Sequence, residues 1–171
     1  FEQAQAGGAE DDLIAERAFT AAVLAGDITK AAALAPSGDS ASEAAKRMGR
    51  MVQAVEAMSS NQGKAAKLLL APEAVGFPHK GAAALLSPWA SAMAGDAEGA
   101  VVRPEVRNDK VVEYFGLLGQ AFLYERARRY DEAETDFKAL TGGDNPGDMV
   151  LLAYGGFLER RGKRLDAVAV Y

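Results

Sequence analysis

The sequence predicts an all-α fold built from repeated helical hairpins, and three observations predict it. Alanine is abundant in a chain of 171 residues that is 49% hydrophobic and only 8% aromatic. Alanine favours helix and lets helices approach closely. Five candidate turns lie between helix-like stretches: Gly26-Asp27, Asn61-Gln62-Gly63, Gly95-Asp96, Arg128-Arg129-Tyr130 and Gly162-Lys163. An alanine follows each turn, at Ala31, Ala66, Ala100, Ala133 and Ala167, with spacings of 35, 34, 33 and 34 residues. A period of this size marks stacked helical pairs, each burying a face that its neighbour supplies. The chain is read as a single repeat domain over 1–171, with approximate units 12–40, 41–80, 81–112, 113–147 and 148–171.

Each unit has its own signals. The segment Phe1–Asp12 carries Glu2, Glu10, Asp11 and Asp12 and no basic residue, so Phe1–Gly8 is expected to be loosely ordered or the remnant of a preceding unit. The first unit offers Phe19, Val23 and Leu24 before its turn and Ile28 and Leu34 after it. In the second, Ser40 and Glu43 have capping-box spacing, and Met48, Met51, Val52, Val55 and Met58 fall on one helical face. A methionine stripe at that spacing reads as core, the alternative being an adaptable peptide-binding surface. The third has Leu85, Leu86, Trp89 and Met93, with Pro88 expected to kink the helix or mark a late start. Trp89 reads as buried between units. Pro36, Pro72 and Pro104 follow the repeated alanines closely, which predicts short second helices in the first three units. Pro36–Asp39 and Pro72–Gly81 are then loops.

The last two units carry the fullest pattern. Phe115, Leu118-Gly119 and Phe122 lead to Tyr130-Asp131-Glu132-Ala133 and Phe137, then Pro146. The next unit reads Leu151, Tyr154-Gly155, Leu158, Gly162, Ala167 and Tyr171. Gly119 and Gly155 are read as the small residues of the first helices, where a partner helix comes close. Ala133 and Ala167 serve the second helices likewise. Gly155 to Ala167 is 12 residues but Gly119 to Ala133 is 14, which predicts a longer first helix or a looser turn in the fourth unit. Over roughly 113–171 the chain resembles the tetratricopeptide repeat family.

That resemblance implies a right-handed α-solenoid of about four and a half units that binds a peptide or protein segment in a concave groove lined by first helices. In the register given by Leu118-Gly119 and Tyr154-Gly155, the groove would show Glu113, Gly116, Gln120 and Leu123, then Met149, Leu152, Gly156 and Glu159, with Tyr124 at the rim. These residues do not reproduce the basic, carboxylate-clamping groove of chaperone-binding members, so a terminal carboxylate is not favoured as ligand. The alanine- and glycine-rich style resembles bacterial members.

Composition excludes much else. Cysteine is absent, which removes thiolate zinc sites, iron–sulfur clusters and cysteine nucleophiles. His79 is the one histidine, so no two-histidine metal motif exists, and it reads as a polar loop residue. No phosphate-cradling loop, dinucleotide fingerprint or Gly-x-Ser-x-Gly elbow occurs. Asp144-Asn145-Pro146-Gly147-Asp148 lacks the ligand alternation of a calcium loop and reads as a helix-to-helix turn. Asp131/Glu132 and Glu134/Asp136 open a second helix, where negative charge complements the dipole. No catalytic, cofactor or metal site is expected. A net charge of −5 argues against general nucleic-acid binding. No stretch is long and apolar enough to span a membrane.

Two basic clusters recur at the repeat spacing: Arg126, Arg128 and Arg129, then Arg160, Arg161, Lys163 and Arg164. Stacking should place them on one edge, read either as a solvated edge or as a docking patch for an acidic partner. The leading expectation is a non-catalytic protein–protein interaction scaffold. Two others stand beside it: the non-catalytic arm of a larger enzyme, such as a glycosyltransferase or sulfotransferase, and a self-assembling module stacking through its open end at Tyr171. A start at Phe1 without methionine and an end inside an expected helix read as a piece of a longer chain. Cytoplasmic and periplasmic placement both stay open.

Overall fold

The computed structural model describes residues 2–39, 41–143 and 145–171. Every element among them is helical: α1 (Glu2–Leu24), α2 (Ile28–Ala33), α3 (Glu43–Ser59), α4 (Gly63–Leu69), α5 (Pro72–Val75), α6 (Lys80–Met93), α7 (Ala97–Ala100), α8 (Lys110–Arg126), α9 (Tyr130–Thr141), α10 (Asp148–Arg160) and α11 (Arg164–Val170). The fold is all-α. A long first helix and a shorter second one alternate, with α5 as an extra turn inside the second connector.

All five expected turns close in the same way. One residue in each takes the left-handed conformation: Gly26, Asn61, Gly95, Arg128 and Gly162, with φ of 73°, 57°, 79°, 61° and 75°. The amide of the following residue then reaches back five positions. Asp27 donates to Ala22 at 3.0 Å, Gln62 to Ala57 at 2.7 Å, Asp96 to Ser91 at 2.9 Å, Arg129 to Tyr124 at 2.8 Å and Lys163 to Leu158 at 2.9 Å. This Schellman closure satisfies carbonyls left open at a helix end and fixes the angle at which the chain returns. It places the alanine five residues after each left-handed position against the first helix. Ala31, Ala66 and Ala133 are completely buried, and Ala100 and Ala167 nearly so.

Prolines set the lengths of the second helices. α2, α4 and α7 have 6, 7 and 4 residues and stop ahead of Pro36, Pro72 and Pro104. α9 meets no proline before Pro146 and runs 12 residues. Helix starts are capped where a side chain can reach. Asp27, Asp96 and Asp109 accept from backbone amides of α2, α7 and α8, and Ser42 accepts from the Ala45 amide at 3.1 Å to open α3.

Packing runs between neighbours in the chain: α1 on α2, α2 on α3, α3 on α4, α4 on α6, α6 on α7 and α8, α8 on α9, α9 on α10, and α10 on α11. α5 lies against α3 and α6. The interior divides accordingly. Phe19, Ala22, Ala31 and Val52 form one cluster, and Met51, Ala54, Ala57, Ala66, Leu70, Val75, Ala83 and Ala90 a second. The third and most aromatic joins α8–α11 around Phe137, whose ring stacks with Tyr154 at 5.7 Å and meets Phe157 at 5.2 Å and Phe122 at 5.5 Å. Met51 is core, and Met48 and Met58 pack against the core, as the stripe predicts.

Several expectations need correction. The cap of α3 is Ser42, with Glu43 as first helical residue; Ser40 lies outside the described residues, as does Asp144. α1 starts at Glu2, so the segment expected to be loosely ordered or the remnant of a preceding unit has helical backbone; Phe1 lies outside the described residues. Pro72 opens the short helix α5 instead of a loop, a position where its missing N–H costs nothing. α6 starts at Lys80 and holds Pro88 in its interior, which excludes the late start, one of the two alternatives for that proline.

The first helix of the fourth unit is the longer one, 17 residues in α8 against 13 in α10, and its turn is no looser. Its turn matches the others, and the small residue seven positions before the left-handed one is Ala121, not Gly119. Ala121 corresponds to Gly155, and Ala121 to Ala133 is again 12 residues. Gly119 instead faces the preceding unit, where an added Cβ would lie 3.3 Å from Trp89 Nε1. Trp89 is half-buried there, between α6 and α8.

Candidate functional site: a basic cleft at the ends of α8 and α10

The turn-based register redraws the accessible face of the first helices. Positions paired across the last two units are Phe115 with Met149, Leu118 with Leu152, Phe122 with Gly156, and Arg126 with Arg160. Each series steps by three or four residues and so runs along one side of its helix. At the start of the helices this side is apolar: Phe115 is 43% exposed, Met149 49% and Leu152 64%, whereas Leu118, the counterpart of Leu152, is buried in the core. At their ends it is basic.

Of the eight expected groove residues, Met149, Leu152, Gly156 and Glu159 lie on α10 with accessible surface. Glu113 on α8 is exposed and pairs with Lys110 at 2.5 Å. The other three do not face solvent. Gly116 is buried under Pro104, Leu123 is buried in the core, and Gln120 is 1% exposed and donates to the Ala100 carbonyl at 3.2 Å. They hold α8 to the preceding unit, because the fourth unit's register stands two residues from the one that Leu118-Gly119 suggests.

The basic edge resolves into a cleft and its surroundings. Phe122, Glu125, Arg126, Tyr130, Arg160 and Arg161 line an open cleft of about 550 Å³ where the ends of α8 and α10 meet the start of α9. Arg160 forks Glu125 with two hydrogen bonds, Nε to Oε1 at 2.7 Å and Nη2 to Oε2 at 2.8 Å. That pairing raises the Arg160 pKa above its ordinary value. The Arg161 guanidinium lies 3.6 Å from the Tyr130 ring centroid, a cation–π contact that holds it at the wall. Gly156 leaves room for this arrangement, since a Cβ there would come within 3.2 Å of Arg160 Nη1. Arg126 projects into the same space.

The remaining cations lie outside the cleft. Arg129 pairs with Glu132 at 2.7 Å and stacks on Tyr124 at 4.7 Å, and Lys163 bonds Glu134 at 2.6 Å. Arg128 occupies the left-handed turn position, and Arg164 is the exposed first residue of α11. Glu132, Glu134 and Asp136 of α9 are thus ion-pair partners. Glu134 is held below the usual carboxylate range by hydrogen bonds from Lys138 and then Lys163. Asp136 behaves oppositely: burial raises it, although Arg103 approaches to 2.9 Å.

Sequence reasoning missed Glu125 and Phe115 as members of this face, and read Phe122 only as a packing residue and Tyr130 only as part of a turn and helix start. Counting back from Arg128 as from Gly162 finds Phe115, Phe122 and Glu125, and Tyr130 follows the turn by two residues. His79 precedes α6 without a side-chain capping bond. Among the described residues no group of histidine, cysteine and carboxylate side chains could hold a metal ion. Also among them, no helix is long and apolar enough to cross a membrane. Comparison of the chain with protein-family models, with curated proteins and with solved structures finds no match.

Proposed function

We propose that this chain is a non-catalytic protein–protein interaction scaffold, a tetratricopeptide-like right-handed solenoid that holds a peptide or protein segment on the accessible face of its first helices. The observation that carries the reading is the accessible surface along α8 and α10, with an exposed apolar pair at matched positions, Phe115 and Met149, exposed Leu152 beside it, and a basic pair at Arg126 and Arg160. Exposed apolar side chains at repeated positions, with hydrogen-bonding groups nearby, suit a bound segment better than a reaction. The recurrent Schellman turns and buried alanines at about the same spacing support the repeat assignment.

The test is selection of peptides of about 12 residues, long enough to follow one such helical face, from a random library displayed on phage. Amide chemical shifts of the protein are then recorded with a selected peptide. Perturbation of Phe115, Met149 and Leu152, and weaker binding to Leu152→Ser, are expected. If no peptide emerges above a bare-support control, or if the perturbed amides lie elsewhere, the reading is wrong.

A second reading is favoured by α11, which exposes Leu165 at 87% and Val168 at 73%. These suit self-association through that helix. Sedimentation over a wide concentration range tests it, and a monomer throughout would remove it.

A further inference from the structure

We infer that the cleft between the ends of α8 and α10 takes the side-chain carboxylate of an aspartate or glutamate in the bound segment, with Glu125 occupying its place in the free protein. The inference rests on the segment-binding reading above and names the chemistry that the segment must carry.

The first argument is charge. The chain as a whole carries −5, yet this cleft gathers Arg126, Arg160 and Arg161 around the single carboxylate of Glu125. Only one of those guanidiniums is neutralised. Among the described residues, Arg126 and Arg161 form no ion pair, while Arg160 is taken up by Glu125. An excess of arginine on an acidic protein marks a place suited to negative charge from outside.

The second argument is geometry. Arg161 rests over the Tyr130 ring, and a guanidinium held in that way keeps its N–H edge free for in-plane bonds to a carboxylate. Phe122 and Tyr130 line the same space with apolar surface, against which an apolar neighbour of the carboxylate can pack. The two-pronged Arg160–Glu125 pair already shows the mode of recognition that the cleft supports, from within the chain.

The third argument selects among anions. Glu125 remains part of the lining, so a doubly charged phosphate would meet a like charge beside it. A single carboxylate can instead share Arg160 with Glu125, or displace it, while the free edges of Arg126 and Arg161 close on it.

The experiment repeats the phage selection on the wild-type protein, on the double variant Arg126→Ala/Arg161→Ala, and on Glu125→Gln. These side chains lie at an open cleft, and circular dichroism verifies that each variant keeps its helix content. Wild type is expected to enrich aspartate and glutamate about threefold or more over the library, next to apolar residues, as suits an exposed, charge-assisted contact. The double variant is expected to keep the apolar preference and lose the acidic one. A selected acidic peptide should bind Glu125→Gln more tightly than wild type, and in wild type it should shift the Arg160 Nε–H resonance. An apolar consensus with no acidic enrichment, or equal acidic enrichment on wild type and the double variant, overturns this inference and leaves the segment-binding reading standing. Selection of nothing at all overturns both.

Discussion

Gly63, the first residue of α4, lies directly against the backbone of Met93 at the end of α6. A side chain there has no room, because the obstruction is main chain and cannot rotate away. Substitution Gly63→Ala is therefore expected to force α4 and α6 apart and cost about 1–3 kcal/mol by overpacking. This should hold even though alanine is the better helix former. Chemical denaturation measures it, and an unchanged midpoint would show that the contact is looser than described.

The opposite sign is expected at the fourth turn. Arg128 adopts φ of 61° where three of the five turns use glycine. A non-glycine residue in that conformation carries a strain of about 1–2 kcal/mol, partly offset by the greater freedom glycine gives the unfolded chain. Arg128→Gly should thus raise stability by about 0.5–1 kcal/mol. Loss of stability on that substitution would mean that the arginine side chain contributes contacts beyond the turn.

The register of α8 can be tested with two neighbouring positions. Ala121 is completely buried and corresponds to Gly155, so Ala121→Leu should cost about 1–3 kcal/mol. Gly119 meets only the movable edge of Trp89, and alanine gains up to about 1 kcal/mol of helix propensity there. Gly119→Ala should be close to neutral or stabilising. The reverse order of effects would restore Gly119 as the close-contact residue.

Asp136 gives a pH dependence with a defined sign. Burial outweighs the attraction of Arg103 and raises its pKa above the ordinary 3.8, so the folded protein holds that proton more tightly than the unfolded chain does. Its ionisation therefore costs stability above the folded-state pKa, and the cost fades as pH falls towards 3.8. Measured against Asp136→Asn, the Tm of the wild-type protein should improve as pH is lowered through this window, other carboxylates cancelling in the difference. A difference that stays flat or worsens on acidification would falsify the assignment.

The fold was legible in the sequence wherever a local rule has a strong signal. Glycine or asparagine marks four of the five left-handed positions, and prolines mark the ends of α2, α4 and α7. The repeated alanines gave the phase even in units whose other residues match little. The misreading at Gly119 has a physical cause. In an alanine-rich helix the true small residue, Ala121, is one alanine among many, whereas a glycine after leucine stands out. The cap of α3 was misplaced for a similar reason: Ser40 and Ser42 both precede Glu43 closely, and only backbone geometry distinguishes them. The cleft was half legible. Its arginines followed from the repeat spacing, but pairing Arg160 with Glu125, and Arg161 with Tyr130, needs the three-dimensional offset between successive units.

One consequence follows from packing that runs between elements no more than three apart in the chain. Among the described residues no substantial packing joins an element at one end to an element at the other, and the interior falls into three clusters. Under tension applied at its two ends, such a chain should behave less like a lock than like a spring of separable coils. Hairpins would be released one after another at low force, and the aromatic knot around Phe137 would hold longest.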